Sequence, residues 1–309
     1  MDLILRKSTF EKKKPIKNPE FKAETGLYGS SNNDFELTVL YDADIVKGDI
    51  ITSYGSEWGG RIYEVEINNS TMTIKGKTFR GQMEMVSPNP TDTLSITGTD
   101  VEIIQTLINR TSLFYTVKDT GNTTKKTVVI PQSSNLLKAV DLVLTAFGEV
   151  MKIEVYSNVE IAIEKKSTHR YDYSQTELKL IESDLKPTAL HSIGKVNGTE
   201  TAVSVYLQAD GTVGSSRYFK NFDAYEICES SNDDCPTLME LKSIVSDRLL
   251  ALRTSVLSSE VDVKIDGANI GDDVNVTIMK YNRKSNQKII AKSIEIINGR
   301  IKQKLITGG

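Results

Sequence analysis

The chain has 309 residues, a formal net charge of −3, 39% hydrophobic and 26% charged residues and seven prolines, the composition of a globular protein and of neither a disordered nor a collagen-like chain. No apolar run reaches the roughly 18 residues of a membrane-spanning helix, and the slightly acidic balance argues against general nucleic-acid binding. Two cysteines, Cys228 and Cys235, and two histidines, His169 and His191, barely supply a zinc site, so two free thiols are expected.

The length allows one large or two to three small domains, and several are expected. The start, Met1-Asp-Leu-Ile-Leu-Arg-Lys7, lacks the apolar stretch of a signal peptide, which points to synthesis and assembly in a cytoplasm. Charge is unevenly placed. Asn221–Leu241 holds six acids and no base, whereas Val276 to the end holds eight bases, among them Lys280, Arg283 and Lys284, against the single acid Glu295.

In chain order, Leu3, Ile4, Leu5 and Phe10 mark a first strand, followed by a lysine-rich connection over Glu11–Lys17. Phe35, Leu37 and Val39 alternate as one face of a second strand. The segment Gly48–Met83 holds six glycines, the only tryptophan and three alternating stretches. It reads as a β meander, its glycines serving the bends of a small closed barrel over about 1–95.

The pattern then changes. Val101, Ile104, Leu107 and Ile108 repeat at helical spacing behind Thr99, which predicts a helix over about 100–110. A polar hairpin-like stretch follows at Lys118–Lys126. Asn135 opens a second helix, with Leu136, Leu137, Val140, Leu144 and Phe147 as its stripe and Gly148 as its stop. Met151–Tyr156 and Val159–Glu164 alternate around Ser157-Asn158 as a hairpin. This middle piece, 96–185, is expected to be an α+β insert.

Paired strands are expected at Ala189–Val196 and Glu200–Gln208 about the Asn197-Gly198 turn. Thr237 with Glu240 caps a helix whose stripe is Leu238, Leu241, Val245, Leu249 and Leu252. Strands follow at 259–266, 273–281, 288–297 and 300–306, the last two joined by Asn298-Gly299. The expected fold class is mainly β with α+β insertions: a barrel over 1–95, a second and discontinuous barrel over 186–232 and 258–309, and a helical insertion at 233–257.

Phe35-Glu-Leu37, Gly48-Asp49, Glu57-Trp-Gly-Gly60 with Ile62, Ile74-Lys-Gly-Lys-Thr-Phe-Arg-Gly-Gln-Met83 with Pro88, and Ile270-Gly-Asp-Asp-Val-Asn-Val276 together resemble the tail hub proteins of tailed bacteriophages and phage-like particles. The resemblance implies a structural protein of the virion tail, assembled in the host cytoplasm. It implies a homotrimer carrying two similar barrels per chain, a pseudo-hexameric ring between the six-fold tail tube or distal tail protein and a three-fold spike or fibre. The tape-measure protein and, in passage, DNA are the partners it implies within the lumen. No cofactor and no stable membrane insertion are implied. The two Gly-Asp pairs fit a duplication.

Catalysis finds little support. A Ser-His-Asp site would need His169 or His191, and no spacing singles out a carboxylate pair for glycoside hydrolysis. Family members sometimes carry a fused hydrolase, so a cell-wall hydrolase is one alternative. A carbohydrate or receptor binder is another, with Trp58, Tyr54 and Tyr63 as a stacking platform. Packing or a subunit contact is the plainer use of Trp58. Interface roles are therefore expected of Trp58, Tyr54, Tyr63, Lys280, Arg283 and Lys284, and catalytic, metal or cofactor residues are not.

Overall fold

The computed structural model describes residues 1–173, 179–181, 187–253, 258–261, 267–278 and 283–308. The chain divides into two units, Met1–Lys179 with Ser259–Gly308, and Leu180–Ser258. Strands β1 (Leu3–Arg6), β2 (Lys12–Pro15), β3 (Glu20–Gly26), β4 (Asp34–Leu40), β5 (Ile50–Ser53), β6 (Gly59–Asn68) and β7 (Thr71–Thr78) lead into helix α1 (Phe79–Glu84). Next come β8 (Leu94–Gly98), α2 (Asp100–Asn109), β9 (Tyr115–Val117), β10 (Lys126–Ile130), α3 (Leu136–Phe147), β11 (Glu149–Val155), β12 (Val159–Lys165), β13 (Thr168–Tyr173) and β14 (Lys179–Ile181). The second unit holds β15 (Ala189–Val196), β16 (Thr199–Leu207), β17 (Val213–Gly214), β18 (Glu226–Cys235) and α4 (Leu238–Arg253), and β19 (Ser258–Val261), β20 (Asp273–Ile278), β21 (Arg283–Ile297) and β22 (Arg300–Gly308) complete the chain. The fold is mainly β, as expected.

The first unit is organised by an antiparallel run in the order β22-β21-β3-β4-β7-β6-β5-β1-β2. Alternation decides its faces. Leu3 and Leu5, Phe21 and Ala23, Phe35, Leu37 and Val39, Met72 and Ile74, and Ile294 and Ile296 all enter one buried cluster with Ile51, Trp58 and Ile62. Strands as distant in the order as β21 and β1 share that cluster, so the sheet curls round its own apolar face. Where β6 begins, Gly59 and Gly60 have φ of +134° and +154°, and a Cβ at Gly60 would lie 2.0 Å from the Lys77 carbonyl oxygen. Only glycine fits there, which explains the Trp-Gly-Gly sequence physically.

Strand β21 has β22 along one edge and two successive neighbours along the other. Its residues 283–288 pair with β20, which also runs parallel to β13; beyond an irregularity at Ile290, its residues 291–296 pair with β3. Strand β19 pairs with β22. The grouping of 186–232 with 258–309 is therefore corrected: the last strands join β3 and β13, and 189–235 forms a sheet of its own. Alternation tells a strand which face is buried, and nothing about which strand lies beside it.

The α+β part of the first unit has a separate core drawn from α1, α2, α3 and the strands β9–β12. The Thr99–Glu102 capping box, the Asn135 cap and the left-handed Gly148 end the helices at the expected places, and Val155↔Val159 closes the expected hairpin. Three expectations are corrected. Lys118–Lys126 is no hairpin, because β9 pairs with β12 and β10 with β8. Lys12–Pro15 is an edge strand on β1 and no mere connection. Phe79–Glu84 is a helix, because the Thr78 hydroxyl accepts the Gly81 N–H and stops the meander.

In the second unit the sheet order is β17-β16-β15-β18. Leu241, Val245 and Leu249 of α4 pack on Leu190, Val203, Val205 and Cys235, and Glu240 N–H donates to Thr237 Oγ1 at 3.2 Å, the expected cap. The acidic stretch Glu226–Cys235 is itself a strand, parallel to β15. Both cysteines are free thiols.

Candidate functional site

The three aromatic residues nominated by the sequence do not form one surface. Trp58 is 7% exposed inside the curled sheet, whereas Tyr54 is 72% exposed with its ring edge-on to Tyr156 at 5.1 Å. Tyr63 lies half-buried over Arg61, its hydroxyl donating to Gln82 Oε1 at 2.9 Å. A stacking platform built on Trp58 is thereby excluded: its ring is core. Lys280 lies outside the described residues. Arg283 and Lys284 open β21, opposite Ile278 and Thr277.

What Gly48–Met83 positions instead is a buried charge. Arg80, carried by α1, is 1% exposed; its Nη2 donates to the Met151 carbonyl at 2.7 Å and its Nε faces Glu57 Oε2 at 3.4 Å. Lys292 Nζ stands 3.9 Å from the other oxygen of Glu57, and burial, with Arg80 nearby, holds its ammonium below the usual lysine range despite the attraction of Glu57. Buried charges persist only when paired. Glu57 thus ties the turn before Trp58 to α1 and β21, a role its surface-like sequence context gave no sign of.

The two Gly-Asp pairs make the same turn. At the first, Gly48 N–H donates to the Ile62 carbonyl, Ile62 N–H to the Asp49 carbonyl and Asp49 N–H to the Val46 carbonyl, while Asp49 Oδ2 accepts the Val46 N–H at 3.1 Å. At the second, Gly271, Ile289, Asp272 and Asn269 repeat every one of these bonds, and Asp272 Oδ2 accepts the Asn269 N–H at 2.8 Å. Lys13 Nζ sits 2.7 Å from Asp49, and His169 Nε2 2.9 Å from Asp272.

On the outward face of the curled sheet, directly opposed residues alternate in charge across six strands: Lys302, Glu295, Lys22, Glu36, Lys75 and Glu64. Lys22–Glu295 and Lys75–Glu64 close to 3.2 Å each, over a groove of about 620 Å³. Each such pair is worth only a few tenths of a kcal/mol (about 0.2–1), and together they leave this face close to neutral. The basic C-terminal segment is therefore not one face: Lys302 belongs to this row, and Lys292 faces Glu57.

The histidines bear on catalysis. His169 is held by Asp272, whose Oδ1 accepts the Ser167 N–H at 2.8 Å, so its partner is the carboxylate of a turn. His191 does meet a hydroxyl and an acid: Nδ1 lies 2.8 Å from Ser204 Oγ and Nε2 3.1 Å from Glu226 Oε2, a contact the sequence did not signal because the three residues come from three strands. Ser204 is exposed, on the sheet face away from α4, and Glu226 is also claimed by Arg217 at 2.7 Å. Hydroxyl attack needs, besides a base, donors for the developing oxyanion, and the triad contacts supply none.

No family model matches the sequence, and comparison with curated proteins finds no match. Solved structures do match over the whole length. The chain is similar to the prophage tail protein gp18 of Listeria monocytogenes, with TM-score 0.54 and 15% identity over 100% of this chain and 94% of that one. It is similar to the 43 kDa tail protein of prophage MuSo2 of Shewanella oneidensis, with TM-score 0.54 and 11% identity over 99% and 98%. It is also similar to the tail protein of Neisseria meningitidis, with TM-score 0.52 and 10% identity over 100% and 96%. From its first strand to its last, this chain has the fold of prophage tail proteins.

Proposed function

We propose that the chain is a structural hub of a phage or phage-like tail. The carrying observation is that the fold match to the phage tail proteins covers nearly the whole of this chain and of each of theirs. In this proposal three copies assemble, each giving one barrel-like segment built on β1 and β3–β7 and one built on β13 and β19–β22, joined through β21. Six such segments match the six-fold tail tube or distal tail protein on one side and a three-fold spike or fibre on the other, with the tape-measure protein and DNA passing within. The repeated Gly-Asp turn supports the duplication. Tyr54, and Arg283 and Lys284 with Lys280, are the interface residues proposed for tests of assembly.

Mass photometry of the purified protein is expected to give the mass of three chains, and negative-stain images a ring. Reversing Lys280, Arg283 and Lys284 to glutamate is expected to impair particle assembly. A stable monomer that clears peptidoglycan in a zymogram would overturn the proposal in favour of a cell-wall hydrolase. Among the described residues, the contact of Ser204 with His191 and Glu226 favours that second function, and loss of clearing in Ser204→Ala would identify it. Binding of cell-wall glycans by the isolated monomer would favour the carbohydrate or receptor binder.

A further inference from the structure

The α+β part of the first unit contains two acids that no interface or turn above uses. Asp100 is the first residue of α2 and is wholly buried; Glu149 follows the Gly148 cap of α3 and opens β11. Their carboxyl groups are within hydrogen-bonding reach of each other. Asp100 Oδ1 and Glu149 Oε2 are both shut off from solvent, and among the described residues neither receives a hydrogen bond. The remaining oxygens are served: Thr120 Oγ1 donates to Asp100 Oδ2 at 3.3 Å, and Asn122 Nδ2 reaches Glu149 Oε1 at 3.5 Å.

The surrounding cations do not fill the gap. Lys126 on β10 and Lys165 on β12 act on Glu149 only as weaker, opposing influences, and the Lys126 ammonium is spent on the Ala146 carbonyl at 2.6 Å and the Phe147 ring. Lys125 turns to Glu102 at 3.7 Å. Two adjoining carboxylates cannot both stay ionised and bare in a buried place; one proton held between them satisfies both oxygens.

We propose that Asp100 and Glu149 share a single proton, and that this bond is a pH-dependent clasp joining the start of α2, the loop carrying Thr120 and Asn122, and the junction of α3 with β11. Burial of the Glu149 carboxyl and the Asp100 carboxyl beside it place the proton on Glu149. Burial first, then the Asp100 charge and the bond to it, push Glu149 up to about 7. A folded value above the unfolded one means that the stabilisation is complete below the ordinary glutamate range and is lost as pH rises through about 7. The clasp is closed in mild acid and opens in mild alkali.

The test follows the thermal midpoint of the full chain from about pH 5.5 to 8.5, spanning the Glu149 titration, with amide hydrogen exchange over 100–122 and 149–155. The wild type is expected to lose midpoint and protection across this window. Glu149→Gln, whose amide can donate to Asp100 at every pH, is expected to stay flatter. Parallel curves for the two proteins would overturn the clasp, as would a ¹³C carboxyl titration that puts Glu149 near the ordinary value of about 4.3. A midpoint raised by millimolar calcium in the wild type and not in Glu149→Gln would overturn it too, by marking a cation between the acids. Should the variant fail to fold, the carboxyl titration of the wild type decides alone.

Discussion

At Gly48-Asp49 and at Gly271-Asp272 the chain makes one turn twice, with the same four backbone and carboxylate bonds, yet it sets the two copies in different surroundings. After the first turn β5 runs antiparallel to β1; after the second β20 runs parallel to β13. Asp49 is met by a flexible lysine, while Asp272, wholly buried, is met by His169 and by the Ser167 N–H as well. A few residues suffice to specify the turn because its bonds close within it and onto the next strand of its own hairpin. The neighbour across the turn is chosen by the tertiary structure, and that choice decides how much the aspartate is worth.

The largest effect that would sharpen this contrast is expected from Asp272→Ala. It strands the buried Asn269 N–H and the Ser167 N–H, and at 1–3 kcal/mol for a stranded buried group the loss should be roughly 3 kcal/mol by urea unfolding. Gly271→Ala should come next, at about 2–3 kcal/mol, because φ is +102° and the new Cβ would stand 2.8 Å from Val150 Cγ1. Asp49→Ala strands one half-buried N–H and a lysine, for about 1–2 kcal/mol. Gly48→Ala, with φ of +94° and only the Arg61 guanidinium at 3.9 Å, should cost about 1 kcal/mol from backbone strain alone. Equal losses at the two aspartates, or at the two glycines, would break the comparison. The smallest effect is expected on the outward charge row: a double-mutant cycle on Glu64 and Lys75 should give a coupling of about 0.2–1 kcal/mol that fades in high salt.

Much of the fold was legible in chain order. The Thr99 capping box, the Asn135 and Gly148 caps, Thr237 with Glu240, and the Asn197-Gly198 and Asn298-Gly299 turns all act through neighbours only a few residues away. Legibility failed where a partner lay far off. Lys12–Pro15 is a strand because β1 offers an edge, and Glu226–Cys235 is one because β15 does; neither segment alternates apolar residues. Phe79–Glu84 continued a strand-like pattern until its cap and core contacts made it a helix. Of the nominated residues, Trp58, expected at an interface, lies in the core of the curled sheet, and nothing local marked Glu57, Arg80 and Lys292 as one buried group, or Ser204, His191 and Glu226 as neighbours.

By itself the sequence determined the mainly β character, the helix ends, the tight turns and the twice-used Gly-Asp unit, since propensity, capping and positive φ are properties of a few consecutive residues. Tertiary structure alone decided that β21 pairs with β20 along one half and β3 along the other, that 189–235 forms its own sheet under α4, and that Asp100 and Glu149 meet. Those outcomes depend on which apolar faces find each other, and hydrophobic burial is non-directional: it rewards covering a face without naming the segment that covers it.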